Sequence, residues 1–279
     1  MKVTVLGGSG FIGRALVAAL ERRGDAVQSV SLRDPVRAAA ASDGSDIVVN
    51  LAGTPVAERW TAERKREIVH SRVDLPRAYL AALGRAAHRP AAYVSASAVG
   101  YYGTSRSVTF TETSPPGDDF LARACVAWEA EAMRARDLGL RVAIVRTGLV
   151  LGRDGGALGK LLPLFRAGLG GPIASGEQWY SWIHLDDQIG IYLVAIDGYA
   201  GPLNATAPNP VTNRAFTRTL AAAVHRPALL PAPEFALKLA FGEGAYVVTE
   251  GQRVLPEAPL AAGYAFRFPE LAGACANLV

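Results

Sequence analysis

The 279-residue sequence predicts an α/β fold, a doubly wound parallel sheet with a smaller C-terminal lobe. Two observations carry this. Strand-like runs alternate with amphipathic helical ones through the first half, and the strand-like runs are almost continuously apolar, the pattern of strands covered on both faces. After "TGLVLGRDGG" that texture gives way to shorter signals punctuated by Gly and Pro. The expected division is a core over residues 1–154 and a smaller lobe over 155–279, with an element or two of the second part returning to the sheet.

"KVTVL" opens the chain as a buried strand. "FIGRALVAALERRG" then sets Ile12, Leu16, Val17 and Leu20 on one helical face before Gly24 ends it. "AVQSVSL" and, beyond an Ala-rich segment, "DIVVNLAG" are the next strands. Thr61 to about Ala87 reads as helix broken at "VDLPR", where Asp74 caps and Pro76 begins a second helix. "AAYVSAS" and "RVAIVRTG" are two further strands, separated by a helix from about Ala122 to Arg136. In "HLDDQIG", Asp186 suits a helix cap and Asp187 the first turn.

Half of the residues are hydrophobic and 19% are charged, the balance of a globular protein. The net charge of +4 is scattered apart from Arg64-Lys65-Arg66 and the pair Arg134/Arg136, so no basic face for nucleic acid is expected. A mild surplus suits an anionic small molecule. Cys125 and Cys275 form neither a disulfide framework nor a zinc spacing, which makes a reducing cytoplasm the default and a metal site unexpected. The first apolar segment is too short for a signal peptide, and no run reaches the roughly 18 apolar residues of a membrane span.

"VLGGSGFIG" places Gly7, Gly10 and Gly13 after the first strand and at the mouth of the first helix, followed by Phe11, Ile12 and Arg14. Glycines let backbone amides approach a pyrophosphate, and the helix N-terminus adds partial positive charge, so the loop reads as a dinucleotide site. At the end of the second strand an acidic residue would bind the free ribose hydroxyls of NAD. This chain has "VSLRDP", with Arg33 leading, Asp34 behind and Arg37 following. Guanidinium is the natural partner of phosphate, so NADP(H) is favoured over NAD(H). Otherwise these arginines are simply solvated.

The glycine spacing, "NLAG", "SASAVGYYG" and "WIHLDD" together resemble the extended short-chain dehydrogenase/reductase superfamily, relatives of the nucleotide-sugar epimerases. The pattern is closer to the bacterial "epimerase family" branch, through Trp60-Thr61, Ser71-Arg72, "SAVGYYG", Trp128-Glu129, "GGPIASGEQ", "WIHLDD", and "GQRVLP" ahead of "GYAFRFP". The resemblance implies a Rossmann-type core, NADP(H) as cofactor, and a small-molecule substrate between core and lobe. It implies cofactor contacts from Leu51, Ala52 and Gly53 and substrate contacts from Trp60, Arg72, Trp182 and His184. Relatives commonly pair as homodimers through the helices flanking the serine strand. Ser97 falls where the superfamily places its catalytic serine. Anchored on Glu129, the Tyr-x-x-x-Lys positions are occupied by Leu121 and Cys125.

In the standard arrangement the lysine lowers the tyrosine pKa. An unassisted tyrosine is only about 0.1% ionised at pH 7, a handicap of roughly 4 kcal/mol, so Tyr101 or Tyr102 would be a poor base. As a proton donor, however, a neutral phenol is already in the right state, which favours carbonyl reduction over alcohol oxidation. One of the two tyrosines is expected to donate and the other to close the turn. Cys125 and Glu129 share a helix face; either they stand in for the lost pair, or the thiol packs and the carboxylate pairs with an arginine. Arg72 is either a fold-holding ion pair or an anion clamp. His184 is a structural junction, a substrate contact or a metal ligand. Trp179 and Trp182 are core or pocket wall, and Arg64-Lys65-Arg66 a solvated face unless Lys65 turns to the site beside Trp60. Lys160 and Arg166 are exposed cations or hold a phosphate. Two functions remain open: an atypical NADP(H)-dependent oxidoreductase or epimerase-like enzyme acting on a carbonyl or hydroxyl compound, with a nucleotide sugar among the candidates, and a dinucleotide-binding sensor that has lost turnover.

Overall fold

Six parallel strands form the central sheet of the computed structural model, which describes all residues from Met1 to Val279. They are β1 (Lys2–Leu6), β2 (Ala26–Val30), β3 (Ile47–Asn50), β4 (Ala92–Ala98), β5 (Arg141–Thr147) and β6 (Gly201–Ala205), in the order β6-β5-β4-β3-β1-β2. The helices along the same stretch are α1 (Phe11–Arg22), α2 (Pro35–Ser42), α3 (Ala62–Val69), α4 (Leu75–Leu83), α5 (Phe120–Met133), α6 (Gly156–Arg166) and α7 (Leu185–Ile196). This is the Rossmann-like doubly wound sheet that the apolar runs predict.

The period-two alternation of the strands divides one chain between two cores. Val3, Val5, Ile47, Val49, Ala143 and Val145 face α1 and α7, whereas Val48, Tyr93, Val142 and Ile144 face α2, α4 and α5. Leu16 and Leu20 of α1 are fully buried in the first core, a stabilisation of roughly 1.5–3 kcal/mol each. A third core belongs to the lobe: Leu158, Leu162 and Phe165 of α6 meet Phe216 and Leu220 of α8 (Asn213–Ala223). α9 (Glu234–Phe241) buries none of its side chains, and α10 (Leu271–Leu278) completes the third core with Leu271, Cys275 and Leu278. β6 and α7 lie beyond residue 154 yet join the central sheet and its first core. No helix is long and apolar enough to cross a membrane.

Two local expectations are corrected. The chain does not break at "VDLPR": α3 runs into α4 through a π-helical turn, His70–Asp74. Asp74 stays helical without a capping bond and its carboxylate faces His70 and Arg77 instead. Pro76, which has no N–H to donate, follows closely on that π-helical turn, where the helical hydrogen-bond ladder is already shifted out of its i−4 register. At α7 the cap is His184, whose Nδ1 accepts from the Asp186 amide at 3.0 Å.

Asp187 is fully buried and anchors the C-terminal segment to the core. Its Oδ1 accepts from Tyr264 Oη at 2.9 Å and the Arg267 amide at 2.8 Å, and its Oδ2 from the Phe268 amide at 3.0 Å. These three donors all lie in "GYAFRFP". Asp187→Ala is expected to lower the unfolding free energy by about 3 kcal/mol or more, because buried donors are left without an acceptor. Urea denaturation checks this, as a lower midpoint with an unchanged slope.

Candidate active site

At the C-terminal edge of β1 the glycine loop is shaped by backbone contacts. Gly7 has φ +83°, and a Cβ there would come within 3.0 Å of the Ala52 nitrogen. A Cβ at Gly13 would overlap the Gly7 carbonyl, so the start of α1 lies directly on the loop. Gly10, the N-cap of α1, offers no side-chain acceptor, and the first turn holds no acid. The amides of Phe11, Ile12 and Gly13 therefore face the loop mouth without intrahelical partners, a cradle that fits the phosphates of a dinucleotide.

The residues around this cradle divide by task. The Phe11 ring packs beneath Gly152, Gly155 and Gly156, each of which would strike it if it carried a Cβ. Arg14 is exposed and donates to the Ser9 carbonyl at 2.7 Å, bracing the loop. Leu51 and Ala52 form the opposite wall, with the Ala52 amide held by Asn50 Oδ1 at 3.1 Å. Arg33 is exposed at the end of β2 and, like Arg14, has no carboxylate within 4.0 Å. Asp34 caps α2 by accepting from the Arg37 amide at 3.0 Å.

The serine and tyrosine cluster is organised by a residue that the motif reading did not single out, Arg146 at the end of β5. Ser97 Oγ donates to Glu129 Oε1 at 2.7 Å, and Arg146 grips the same carboxylate twice, Nε to Oε1 and Nη2 to Oε2, both at 2.8 Å. Arg146 Nη1 donates to Tyr102 Oη at 2.9 Å, and that hydroxyl donates to Asn204 Oδ1 at 2.7 Å. Burial lowers an arginine pKa, but Glu129 and Tyr102 hold Arg146 above the ordinary range. Burial pushes Tyr102 up to about 12, against the pull of Arg146. Tyr101 is different: its ring lies 3.6 Å from the Arg146 guanidinium carbon, and its hydroxyl makes no hydrogen bond within the protein. Tyr102 thus closes the turn, and Tyr101 keeps the free hydroxyl. The signal for Arg146 was present as the charge that closes the apolar run in "RVAIVRTG", since a buried arginine needs a partner.

Other anticipated residues take less reactive places. Cys125 is buried and its thiol is pushed up to about 12 by burial and by Glu129, so it packs as a hydrophobe. Glu129 is the paired carboxylate of the alternatives. Leu121 lies against Gly100. Trp182 is fully buried in the lobe core with its indole N–H on the Asn209 carbonyl at 3.0 Å, which corrects the expected substrate contact. His184 commits Nδ1 to Asp186 and Nε2 to Asn277 Oδ1 at 3.1 Å and stacks on Phe268, the junction role; burial holds its pKa below the usual histidine range. Trp60 is nearly buried against Phe120 at a centroid distance of 5.2 Å, with Lys65 lying over both rings while pairing with Glu243. Arg64 pairs with Glu58 and Glu67, whereas Lys160 and Arg166 are exposed. Arg72 makes no ion pair, against the fold-holding alternative. Its Nη2 donates to the Thr54 carbonyl at 2.9 Å, and its guanidinium carbon lies 5.0 Å from the Trp128 ring centroid.

Residues 3–205 match the NAD dependent epimerase/dehydratase family, and residues 232–278 match a domain of unknown function (DUF1731). Among curated relatives, a chloroplastic "Epimerase family protein SDR39U1 homolog" of Arabidopsis thaliana is 42% identical over 96% of this chain and 84% of its own. The Homo sapiens protein "Epimerase family protein SDR39U1" is 40% identical over the full length of both chains. A crystal structure of the human protein with NADPH superposes at a TM-score of 0.93 with 38% identity, covering 100% of this chain and 99% of that one. A UDP-glucose 4-epimerase from Thermus thermophilus superposes at 0.82 with 20% identity, covering 100% of this chain and 98% of that one, a likeness of fold.

Glu129→Gln leaves the Arg146 charge buried and uncompensated, and chemical denaturation should show a loss of about 3–5 kcal/mol. Cys125 and Cys275 should resist iodoacetamide at pH 8 until the protein unfolds, as their thiols are pushed up to about 12 and about 11. Because the folded values exceed the free-thiol value of 9.0, their contribution to stability is intact below pH 9 and erodes as pH climbs toward 12. Cys125→Ala should flatten that part of the stability profile.

Proposed function

The chain belongs to the NAD dependent epimerase/dehydratase family, and from that premise we propose that it is an NADP(H)-dependent oxidoreductase or epimerase-like enzyme acting on a carbonyl or hydroxyl group of a small anionic compound, with nucleotide sugars among the candidates. The observation that carries this is the bare amino end of α1, with Arg14 in its first turns, Arg33 just past β2, the strand paired with β1, and no carboxylate engaging either arginine. Asp34, the acid that would otherwise favour free ribose hydroxyls, is spent on the α2 cap. Arg33 is the reader of the 2′-phosphate. The 1–154 unit holds the dinucleotide, and the substrate lies between it and the 155–279 lobe, with Trp60 in the wall at their junction.

The bound nicotinamide supplies or accepts hydride. Everything else falls to the protein. Tyr101 donates the proton to the substrate oxygen, since its hydroxyl is the uncommitted one. Ser97 directs its own O–H to Glu129 as a hydrogen-bond donor, so it presents lone pairs and receives a substrate hydroxyl. Arg146 holds both groups, gripping Glu129 below Ser97 and lying on the ring of Tyr101. An unassisted phenol carries a handicap of roughly 4 kcal/mol as a base, and no lysine stands at the Cys125 position to relieve it, so reduction is the direction proposed. The sensor reading draws on Leu121 and Cys125, which supply no proton-transfer group, and on the 3% exposure of Ser97.

The test is binding and turnover with purified protein. Calorimetry should show NADPH bound more tightly than NADH, and Arg33→Ala should weaken NADPH about tenfold while leaving NADH nearly unchanged. Equal losses for both cofactors would remove Arg33 from 2′-phosphate recognition. Tyr101→Phe should lower carbonyl reduction by a factor of about 10²–10⁴ at unchanged NADPH affinity. Absence of turnover on every carbonyl compound, with NADPH binding intact, would favour the sensor.

A further inference from the structure

We infer that Arg72 forms a subsite for an anionic oxygen of the substrate, on the wall of the cleft between the dinucleotide cradle and the Tyr101 turn. This rests on the reading above. Four observations lead to it.

First, the charge is uncompensated. Arg146 and Arg64, the other arginines drawn into this region, pair with Glu129 and with Glu58 and Glu67. Arg72 has no carboxylate within 4.0 Å although it is half-buried. Second, the group is held in place without being used up. Nη2 bonds the Thr54 carbonyl at 2.9 Å, while Nη1 makes only long contacts, 3.3 Å to Ser71 Oγ and 3.4 Å to the Ile68 carbonyl. Trp128 supports one face of the guanidinium at 5.0 Å. A guanidinium has five N–H donors, and the Nε–H of Arg72 has no acceptor yet is not shut away from solvent.

Third, the location is that of the reacting groups. The π-helical turn His70–Asp74 brings the guanidinium against Gly53, where a Cβ would come within 3.2 Å of the guanidinium carbon. Gly53 follows Ala52, whose nitrogen abuts Gly7 of the glycine loop. On its other side Arg72 is within electrostatic reach of Cys125, and Cys125 Sγ lies 3.9 Å from where a Cβ of Gly100 would be, in the turn that carries Tyr101. Fourth, the charge balance calls for a ligand. A half-buried cation without a partner pays desolvation, and a planar fork gains most from a carboxylate or phosphate oxygen. The same chemistry has two sources, the pyrophosphate of the dinucleotide or an acid group of the substrate. The pyrophosphate already has the α1 amides and Arg14, whereas Arg72 lies toward Cys125 and the Tyr101 turn, so the substrate is the source assigned.

Oxalate serves as the probe, titrated by calorimetry into the full-length protein with and without saturating NADPH. Oxalate should bind the NADPH-loaded protein, Arg72→Gln should weaken it at least tenfold, and Arg72→Lys, which keeps the charge and loses the fork, about threefold. The NADPH affinity of both variants should stay within twofold of the parent, with thermal midpoints confirming folding. Should Arg72→Gln not fold, the Lys variant carries the comparison alone. Equal oxalate affinity in parent and variants, or no oxalate binding by the parent, overturns the subsite. A tenfold loss of NADPH affinity in Arg72→Gln overturns the substrate assignment and makes the pyrophosphate the occupant. Failure of the parent to bind NADPH would defeat the dinucleotide reading, and oxalate binding to the NADPH-free protein would still judge Arg72.

Discussion

The buried pair between Arg146 and Glu129 is the constraint on which the centre of the molecule depends. It joins the end of β5 to α5, and its spare donors and acceptors recruit Ser97 from β4, Tyr102 from the following turn and, through Tyr102, Asn204 from β6. A guanidinium with five donors and a carboxylate with two oxygens can satisfy one another only with further polar neighbours. That requirement explains why three hydroxyl- or amide-bearing side chains converge at the edge of an otherwise apolar sheet. Asn204 extends the network into the lobe, bonding the Leu255 carbonyl through Nδ2 and Glu112 through its amide. The candidate site and the seating of the C-terminal lobe thus share one set of hydrogen bonds.

That arrangement divides the labour between the paired tyrosines. A hydroxyl that both donates and accepts inside the protein, as Tyr102 does, has no proton left to transfer. Its neighbour Tyr101 is oriented through its ring face, by the Arg146 cation and by the Tyr102 ring at 5.3 Å. Contact through the face leaves the rim group free. The same logic separates Ser97, whose proton is directed to Glu129, from a serine that would donate to a carbonyl.

The sheet and the glycine loop were legible in the sequence because their signals are local. Continuous apolar runs, Gly7 with its positive φ and the amphipathic face of α1 each declare themselves within a dozen residues. The site was legible where it follows the loop, and much less so where it depends on distant partners. "VDLPR" carries every local mark of a helix boundary, yet a single added residue in the turn lets the helix pass, and this is what aims Arg72 at Gly53. Asp187 looked like a first-turn acid, but its carboxylate serves amides about 80 residues away. Trp182 sat in the mixed stretch "YSWIH" and points into the lobe core. In each case the deciding contact lies across the fold, and no window of sequence contains both partners.

The departures at Leu121 and Cys125 then read as one change rather than two losses. With an apolar side chain at the first position and a buried thiol at the second, these two positions of α5 bring no charge to the cleft, Arg123 between them being exposed to solvent, and a cationic group comes instead from the π-helical turn as Arg72. Moving a charge from one wall of a cleft to another alters what it can do. A lysine beside the hydroxyl of a phenol stabilises phenolate and supports base chemistry, whereas a guanidinium set against Gly53 and turned toward the Tyr101 turn is placed to act on a ligand directly. The cleft therefore keeps positive charge, from Arg72 on one wall and from Arg146 on the ring of Tyr101, without a lysine at the Cys125 position. In the reading proposed above, such a site holds an electron-rich oxygen where the uncommitted Tyr101 hydroxyl can protonate it.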